Sequence, residues 1–253
     1  MSGHSKWSTI KRKKGALDAK RGKVFTKIIK EITIAVKEGA SMDADANPRL
    51  RLAVSNAKGA NMPKDNIERA IKKAGDKDSA NYEETAYEGY GPNGIAIFVE
   101  ASTDNINRTV SNVRAIFTKY NGNLGTNGSL EFIFDRKGVF SIPEGNIGEM
   151  DRDEFEMELI DGGAEEVELE DGVFMVYTSF EDFGLMQKKL EDLGIEVESA
   201  DLQRIPNSTT AIDVHAGKTI LNMIEKFEED DDVTNVYHNL ELTDELMSEM
   251  SED

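Results

Sequence analysis

The residues with the clearest chemical potential form a basic tract at the start of the chain. Ten Lys and Arg side chains fall within the first thirty residues, where Asp18 is the only acidic residue. Cations this close together repel one another, so a polyanion that neutralises them stabilises the tract. Lysine offers a phosphate a point charge and arginine a two-pronged donor. We therefore predict that nucleic acid is bound by these cations and the neighbouring tryptophan: Lys6, Trp7, Lys11, Arg12, Lys13, Lys14, Lys20, Arg21, Lys23, Lys27 and Lys30.

Other interpretations of the basic tract remain open. It could be an ordinary solvated face, or it could dock on the acidic run at residues 228–232 of the same chain. Such docking would be an electrostatic lock that competing nucleic acid releases. Trp7 is equally open, because a tryptophan can stack on a base or sugar or anchor the arm on its own domain.

Two segments resemble phosphate-binding loops only in part. The glycine-rich residues 121–129 could present backbone amides to an anion, but they lack a Gly-Lys-Ser/Thr ending and lead toward a predicted strand. We favour a turn or linker there. Gly217, Lys218 and Thr219 precede a predicted helix, yet Ile212 stands where a nucleotide loop needs glycine.

Residues suited to catalysis or metal binding are sparse. The three histidines, His4, His215 and His238, lie in separate segments without metal-ligand spacing. The chain has no cysteine, which excludes thiolate nucleophiles and cysteine metal sites. The acidic run at 228–232 would hold a hard cation only loosely. We expect no enzyme activity, no cofactor and no metal.

Charge is distributed very unevenly along the chain. Residues 1–77 contain 19 Lys and Arg against 8 Asp and Glu, whereas residues 78–253 contain 11 against 41, so a basic region precedes an acidic one in a chain of net charge −19. The basic region is expected to meet nucleic acid and the acidic region to maintain solubility. Because cysteine is absent and no apolar run approaches the roughly 18 residues of a membrane helix, we expect a cytoplasmic protein without a membrane partner.

The N-terminal residues have helical periodicity. A helix is predicted over 16–38, with one packed face and an opposite face that presents Lys20, Lys23, Lys27 and Lys30. Asn47-Pro48 and Met62-Pro63 are predicted to start two further helices, the second ending at Gly75.

Beyond residue 81 short strands alternate with helices. Helices are predicted at 105–120, 151–160, 181–193 and 218–227, and turns at 90–94, 136–138 and 170–172. Strands are predicted at 95–101, 130–134, 139–142, 195–198, 210–214 and 233–238. Each half of the middle region is too small to bury a sheet face alone. We therefore expect a basic helical domain at 1–77, a discontinuous middle domain at 82–129 and 206–240, an inserted domain at 130–205 and an acidic tail at 241–253.

Four segments together resemble the YebC/PmpR family: Gly3-His4-Ser5-Lys6-Trp7, residues 61–67, residues 87–94 and residues 122–129. The resemblance covers essentially the whole chain apart from the acidic tail. It implies an α+β multidomain fold, in which a small all-helical N-terminal domain precedes two ferredoxin-like α/β domains and the middle one is discontinuous. Family members are described as DNA-binding transcriptional regulators, while mitochondrial relatives are translational activators and some bacterial members act at the ribosome.

Three functions follow as hypotheses. The first is a DNA-binding transcriptional regulator that uses the basic arm and helix, and the alternative is an RNA- or ribosome-binding translation factor. The third is a protein-interaction scaffold without nucleic acid. Because the first helix offers mainly lysine, and not the arginine, asparagine or glutamine that read base edges, we expect sequence-tolerant contact with the phosphate backbone.

Overall fold

The computed structural model describes the backbone of residues 17–251 and the side chains of residues 22–249. Within that range the helices are α1 (Leu17–Glu38), α2 (Pro48–Gly59), α3 (Lys64–Ala74), α4 (Ile106–Lys119), α5 (Arg152–Asp161), α6 (Phe183–Asp192), α7 (Val214–Glu228) and α8 (Asp244–Ser251). The strands are β1 (Glu83–Tyr90), β2 (Ala96–Thr103), β3 (Asn123–Leu124), β4 (Phe134–Pro143), β5 (Ala164–Glu170), β6 (Val173–Ser179), β7 (Ser199–Pro206) and β8 (Val233–His238).

These elements form two compact units. The first contains residues 80–135 and 205–251, together with the start of α1 up to residue 23. The second contains residues 24–79 and 136–204. The chain therefore leaves the first unit after β3 and returns to it at the end of β7.

The first unit is built on a sheet of order β3-β1-β2-β8. Strands β1, β3 and β8 join their neighbours in antiparallel pairs. Helices α4 and α7 enclose the main core, where the rings of Phe117 and Phe227 lie 5.0 Å apart. Helix α8 continues this core, because Leu242 and Leu246 are buried and Lys218 pairs with Glu249 at 2.6 Å. Residues 241–251, expected as an acidic tail, thus include a packed helix.

The second unit contains a sheet of order β5-β6-β4-β7, with α5 between β4 and β5 and α6 between β6 and β7. This β-α-β-β-α-β order is the ferredoxin-like arrangement. Asp171 and Gly172 join β5 to β6 with positive φ angles of 49° and 78°, as a tight hairpin requires. The predicted α+β fold class with a helical N-terminal region is confirmed, and the two sheets that follow are antiparallel with four strands each. The predicted ferredoxin-like order is that of the second unit, whereas the first unit runs β1-β2-α4-β3 and then, after the chain returns, α7-β8.

The first two helices are joined through Asn47, which is 3% exposed. Its side chain accepts a hydrogen bond from the Leu50 amide at 3.1 Å and donates to the carbonyl groups of Ala35 and Ser41. The Asn47 side chain therefore starts α2, as predicted for Asn47-Pro48, and it also binds the end of α1, a role that was not predicted. Met62-Pro63 acts differently, because α3 begins at Lys64 and Pro63 itself occupies the cap position without a side-chain hydrogen bond.

Helix α2 covers the edge of β7 inside the second unit. The buried Asn56 side chain donates to the Ala200 carbonyl at 3.0 Å and accepts from the Ala200 amide at 2.9 Å, so it replaces a neighbouring strand. At Gly59 an added Cβ atom would lie 2.0 Å from the Glu198 carbonyl oxygen. The absence of a side chain at Gly59 permits this close approach.

Several predicted boundaries were wrong. Residues 130–133 form turns, and β4 continues through Arg136-Lys137-Gly138 without a turn. Glycine is required at position 138 because an added Cβ atom would lie 2.3 Å from the Thr178 hydroxyl oxygen. Gly138 therefore indicates close packing within the sheet and not a turn. The strand predicted at 195–198 lies at 199–206, and the strand predicted at 210–214 is reduced to a bridge between Thr210 and Leu240.

We predict that Gly59→Ala lowers the free energy of unfolding by about 1–3 kcal/mol, because the new methyl group meets backbone that cannot rotate away. Urea unfolding followed by circular dichroism measures the change. Gly184→Ala in α6 is the matched control, since nothing lies within 4 Å of its added Cβ atom. Equal stability of the two variants would contradict the assigned packing of α2 on β7.

Candidate nucleic-acid interface

The predicted binding residues divide into three groups in the structure. Lys6, Trp7, Lys11, Arg12, Lys13 and Lys14 lie outside the described residues. Lys20 and Arg21 lie on α1, and their side chains are outside the described set. The side chains of three predicted binding residues are described by the structure: Lys23, Lys27 and Lys30.

The lysine face of α1 is less accessible than predicted. Lys23 and Lys27 are half-buried, Lys30 is 7% exposed, and neither Lys27 nor Lys30 is a free cation. All residues from Ile32 to Val36 are buried, which means that this part of the helix is enclosed on every side. The prediction that α1 packs on one face and presents a row of ammonium groups on the other was therefore wrong at Lys30. The periodicity of the sequence identified the most apolar face of α1, but it did not show that the opposite face is also covered at Lys30.

Lys23 contacts the acidic run. Its ammonium group donates a hydrogen bond to the Glu229 carbonyl oxygen at 2.9 Å. Lys226 binds the Glu229 carboxylate at 2.6 Å, and Lys226 and, more weakly, Lys23 hold the pKa of that carboxyl below its usual value. The docking considered for the basic tract is thus present at Lys23. The acceptor is an exposed backbone carbonyl and not a buried carboxylate. Lys23 can therefore readily exchange this hydrogen bond for one to water or to an anion.

Asp232, at the end of the same acidic run, is part of the core of the first unit. It is 6% exposed and accepts hydrogen bonds from Arg108 at 2.7 Å and from the Thr109 hydroxyl at 2.9 Å. Asp232 and Asp104 together raise the pKa of the Arg108 guanidinium, which remains charged at any physiological pH. Asp232 therefore fixes the start of α4. Because it already binds the Arg108 guanidinium, it is not available to a lysine of the basic tract.

The glycine-rich segment does contain an anion site, and Glu88 of β1 occupies it. The Glu88 side chain, on a residue 5% exposed, accepts hydrogen bonds from the amides of Gly128 at 2.7 Å and Leu130 at 2.6 Å. The Glu88 carbonyl also accepts from the Gly125 amide at 2.7 Å. Since the protein's own carboxylate fills the position that a phosphate would take, the segment is a braced turn and not a free phosphate cradle.

The other candidate motifs have structural roles. Gly217, Lys218 and Thr219 lie inside α7, where Gly217 makes room for Leu246. His238 is buried and its Nδ1 accepts from the Leu240 amide at 3.2 Å, whereas His215 is exposed on α7. Among the described side chains, no group of three or more His, Asp and Glu residues is arranged to hold a metal ion.

The structure adds cations that the sequence reasoning missed. Lys58 is exposed in the last turn of α2. Helix α3 exposes four further cations: Lys64, Arg69, Lys72 and Lys73. Arg69 is held locally by the Asp65 carbonyl and the Asn66 side chain. The helical spacing of the buried Ile67, Ala70 and Ala74 places the four cations of α3 on its outer faces. The same periodicity predicts the helix from the sequence and is the signal that could have identified its exposed cations.

The fold and the charge distribution define an α+β protein in which a basic helical N-terminal region precedes an acidic region with two antiparallel four-stranded sheets. None of the helices described between residues 17 and 251 combines the length and apolar character needed to cross a bilayer. Residues 5–77 match the model described as the TACO1/YebC protein N-terminal domain, and residues 82–240 match that of the TACO1/YebC second and third domain. The chain belongs to the TACO1/YebC family.

Relatives support the same assignment along the chain. The chain is 50% identical over 251 residues to a "Probable transcriptional regulatory protein" of Citrifermentans bemidjiense, covering 99% of this chain and all of the relative. A protein of the same name from Amoebophilus asiaticus is 49% identical over 242 residues, covering 95% and 98%. The crystal structure of the conserved hypothetical protein Aq1575 of Aquifex aeolicus matches with a TM-score of 0.79 and 42% identity, covering 90% and 93%.

We predict that Glu88→Gln loosens residues 125–130, because Oε1 of Glu88 accepts from the Gly128 amide and Oε2 from the Leu130 amide, and glutamine replaces one of these two acceptors with an NH2 donor. The free energy of unfolding should fall by about 1–3 kcal/mol. Hydrogen exchange at the Gly128 and Leu130 amides should accelerate, which two-dimensional NMR measures residue by residue. The control is Glu83→Gln at the exposed start of β1. Unchanged exchange at both amides would show that Glu88 does not brace the segment.

Proposed function

We propose that this protein is a regulator of gene expression that binds nucleic acid through its basic N-terminal arm and first helix, and that DNA is its target in transcriptional regulation. The observation that carries the proposal is the excess of cations in residues 1–77, 19 Lys and Arg against 8 Asp and Glu, in a chain of net charge −19. The names of the relatives from Citrifermentans bemidjiense and Amoebophilus asiaticus support a regulatory role.

The interface is proposed to extend beyond the first thirty residues. Lys6, Trp7, Lys11, Arg12, Lys13, Lys14, Lys20 and Arg21 remain its main candidates. Lys23 joins them when nucleic acid displaces it from the Glu229 carbonyl, and the exposed cations of α2 and α3 widen the surface. Lys27 and Lys30 contribute less than predicted, because neither is a free cation and Lys30 is almost fully buried.

A second candidate is an RNA- or ribosome-binding translation factor. The exposed cations of α2 and α3 are four lysines and two arginines, Arg49 and Arg69, of which Arg49 pairs with Glu38 and Arg69 binds the Asp65 carbonyl and the Asn66 side chain. Lysine recognises phosphate charge without reading base edges, and RNA offers the same phosphates as DNA. The character of this surface therefore favours sequence-tolerant binding and supports translation nearly as well as transcription.

The proposal assigns each part of the chain a role. We take the basic helical domain as residues 1–77, the discontinuous middle domain as 82–129 and 206–240, and the inserted domain as 130–205. The basic domain contacts the polyanion, while the acidic parts limit nonspecific adhesion and maintain solubility. The protein acts in the cytoplasm, and its function requires neither enzyme activity nor a cofactor.

We predict that binding to a DNA duplex weakens steeply with salt. With about six phosphates contacted, affinity should fall by roughly a thousandfold between 50 and 200 mM salt. Replacement of Lys11, Arg12, Lys13 and Lys14 by alanine should flatten this dependence, as measured by fluorescence anisotropy. The control replaces Arg114, Lys119, Lys188 and Lys226, four exposed cations with the same change in charge. An unchanged slope in the arm variant, or equal flattening in the control, would exclude the arm as the contact surface.

We predict that the protein in cell lysates associates with DNA. After separate treatment with DNase and RNase, sedimentation followed by immunoblotting should show release from heavy fractions by DNase. Release by RNase with persistence after DNase, in the fractions that contain ribosomes, would overturn the transcriptional assignment in favour of translation.

A further inference from the structure

Helix α5 of the second unit is apolar on two sides. Phe155 and Leu159 are fully buried against the sheet, where Phe155 packs edge-on to Phe174 at 5.1 Å. On the outward side, Met157 and Ile160 are each 62% exposed. They stand three residues apart and are therefore neighbours on the helix surface. Two large apolar side chains side by side in water are typical of an interaction site.

An open depression adjoins this outward face. Its lining combines the apolar residues Ile147, Met150, Leu193 and Ile195 with the polar residues Asn146, Glu149 and Glu154. Glu154 lines the depression and lies one helical turn before Met157, so the depression reaches the outward side of α5 next to the exposed apolar pair. We call the depression together with Met157 and Ile160 the α5 surface.

The charges around the α5 surface are almost all negative. Residues 151–161 contain six Asp and Glu and one Arg. Arg152 pairs with Glu144, and Lys189 pairs with Glu158. Within the described part of the chain, Asp153, Glu154, Glu156 and Asp161 take part in no ion pair. The last turn of α5 also contains no basic residue to offset the partial negative charge of the helix end.

We propose that the α5 surface binds a basic amphipathic segment of a partner protein. Apolar side chains of the segment cover Met157, Ile160 and the apolar residues that line the depression, while its Lys and Arg side chains meet the unpaired carboxylates. The same carboxylates repel polyanions, which excludes nucleic acid and anionic membranes as occupants. The proposal goes beyond the proposed function, because it concerns residues outside the basic domain.

Two synthetic peptides test the proposal on the full-length protein. One is a helix of about 18 residues with leucine on one face and lysine on the other, and the second has the same composition with the leucines distributed around the helix. Fluorescence anisotropy should show roughly tenfold tighter binding of the amphipathic peptide, since only that peptide covers two large apolar side chains at once. Equal binding of both peptides would overturn the proposal, because charge alone would then explain it.

Variants locate the binding. Met157→Ser combined with Ile160→Ser should abolish the preference for the amphipathic peptide, whereas Phe132→Ser, at a residue 76% exposed, should preserve it. Glu154→Gln combined with Asp161→Asn should weaken binding at low salt, and the exposed control pair Asp76→Asn and Asp78→Asn should not. A preference that survives the α5 double variant would refute the site. Affinity for a DNA duplex, measured on the same variants, should be unchanged, so failure here is distinct from failure of the nucleic-acid proposal.

Discussion

The pairing of β2 with β8 is the constraint on which the first unit depends. Strand β2 is buried on both faces, with Ile97 and Val99 in the main core and Ala96 and Phe98 in a second cluster with Leu130, Phe134 and Tyr237. A strand buried on both faces must also have both edges paired, because an unpaired backbone group away from water is costly. Strand β1 pairs with one edge, and only β8, more than 120 residues later, pairs with the other. The insertion is tolerated because its two ends leave and re-enter through the strands β4 and β7 of a single sheet.

Buried polar side chains stabilise the connections that this long-range pairing creates. Asp232 immediately precedes β8, and its contacts with Arg108 and Thr109 attach that strand to the start of α4. Glu88 on β1 attaches the segment that leads out of the first unit. Asn56 performs the equivalent task for α2 and β7 in the second unit. Each of these three side chains exchanges hydrogen bonds with water for hydrogen bonds to specific protein atoms. Each therefore favours one position of the connected segments over the alternatives.

Local signals in the sequence predicted most helices and the fold class, whereas long-range contacts decided the errors. Asn47-Pro48 and the hairpin at Asp171-Gly172 were predicted because a cap and a tight turn need only neighbouring residues. Gly138 was misread as a turn because its neighbour, Thr178, is forty residues away. Lys30 was placed on an exposed face because periodicity reports one buried side of a helix and not a second contact. The role of Glu88 could not be predicted because its partners, the amides of residues 128 and 130, lie about forty residues away in the sequence.

Salt screening explains how so acidic a chain can present a basic surface to a polyanion. At physiological ionic strength the field of an exposed charge decays over about 8 Å, so an approaching phosphate responds to nearby groups and not to the net charge of −19. Within the described residues 22–77, twelve Lys and Arg stand against seven Asp and Glu, so the helical region is basic even without the arm. The hydrogen bond from Lys23 does not cancel this excess of cations, because its acceptor is the neutral carbonyl oxygen of Glu229. In the proposed complex, nucleic acid would displace one exposed hydrogen bond at this position, a cost of about 1 kcal/mol, and would gain several phosphate contacts with the basic region.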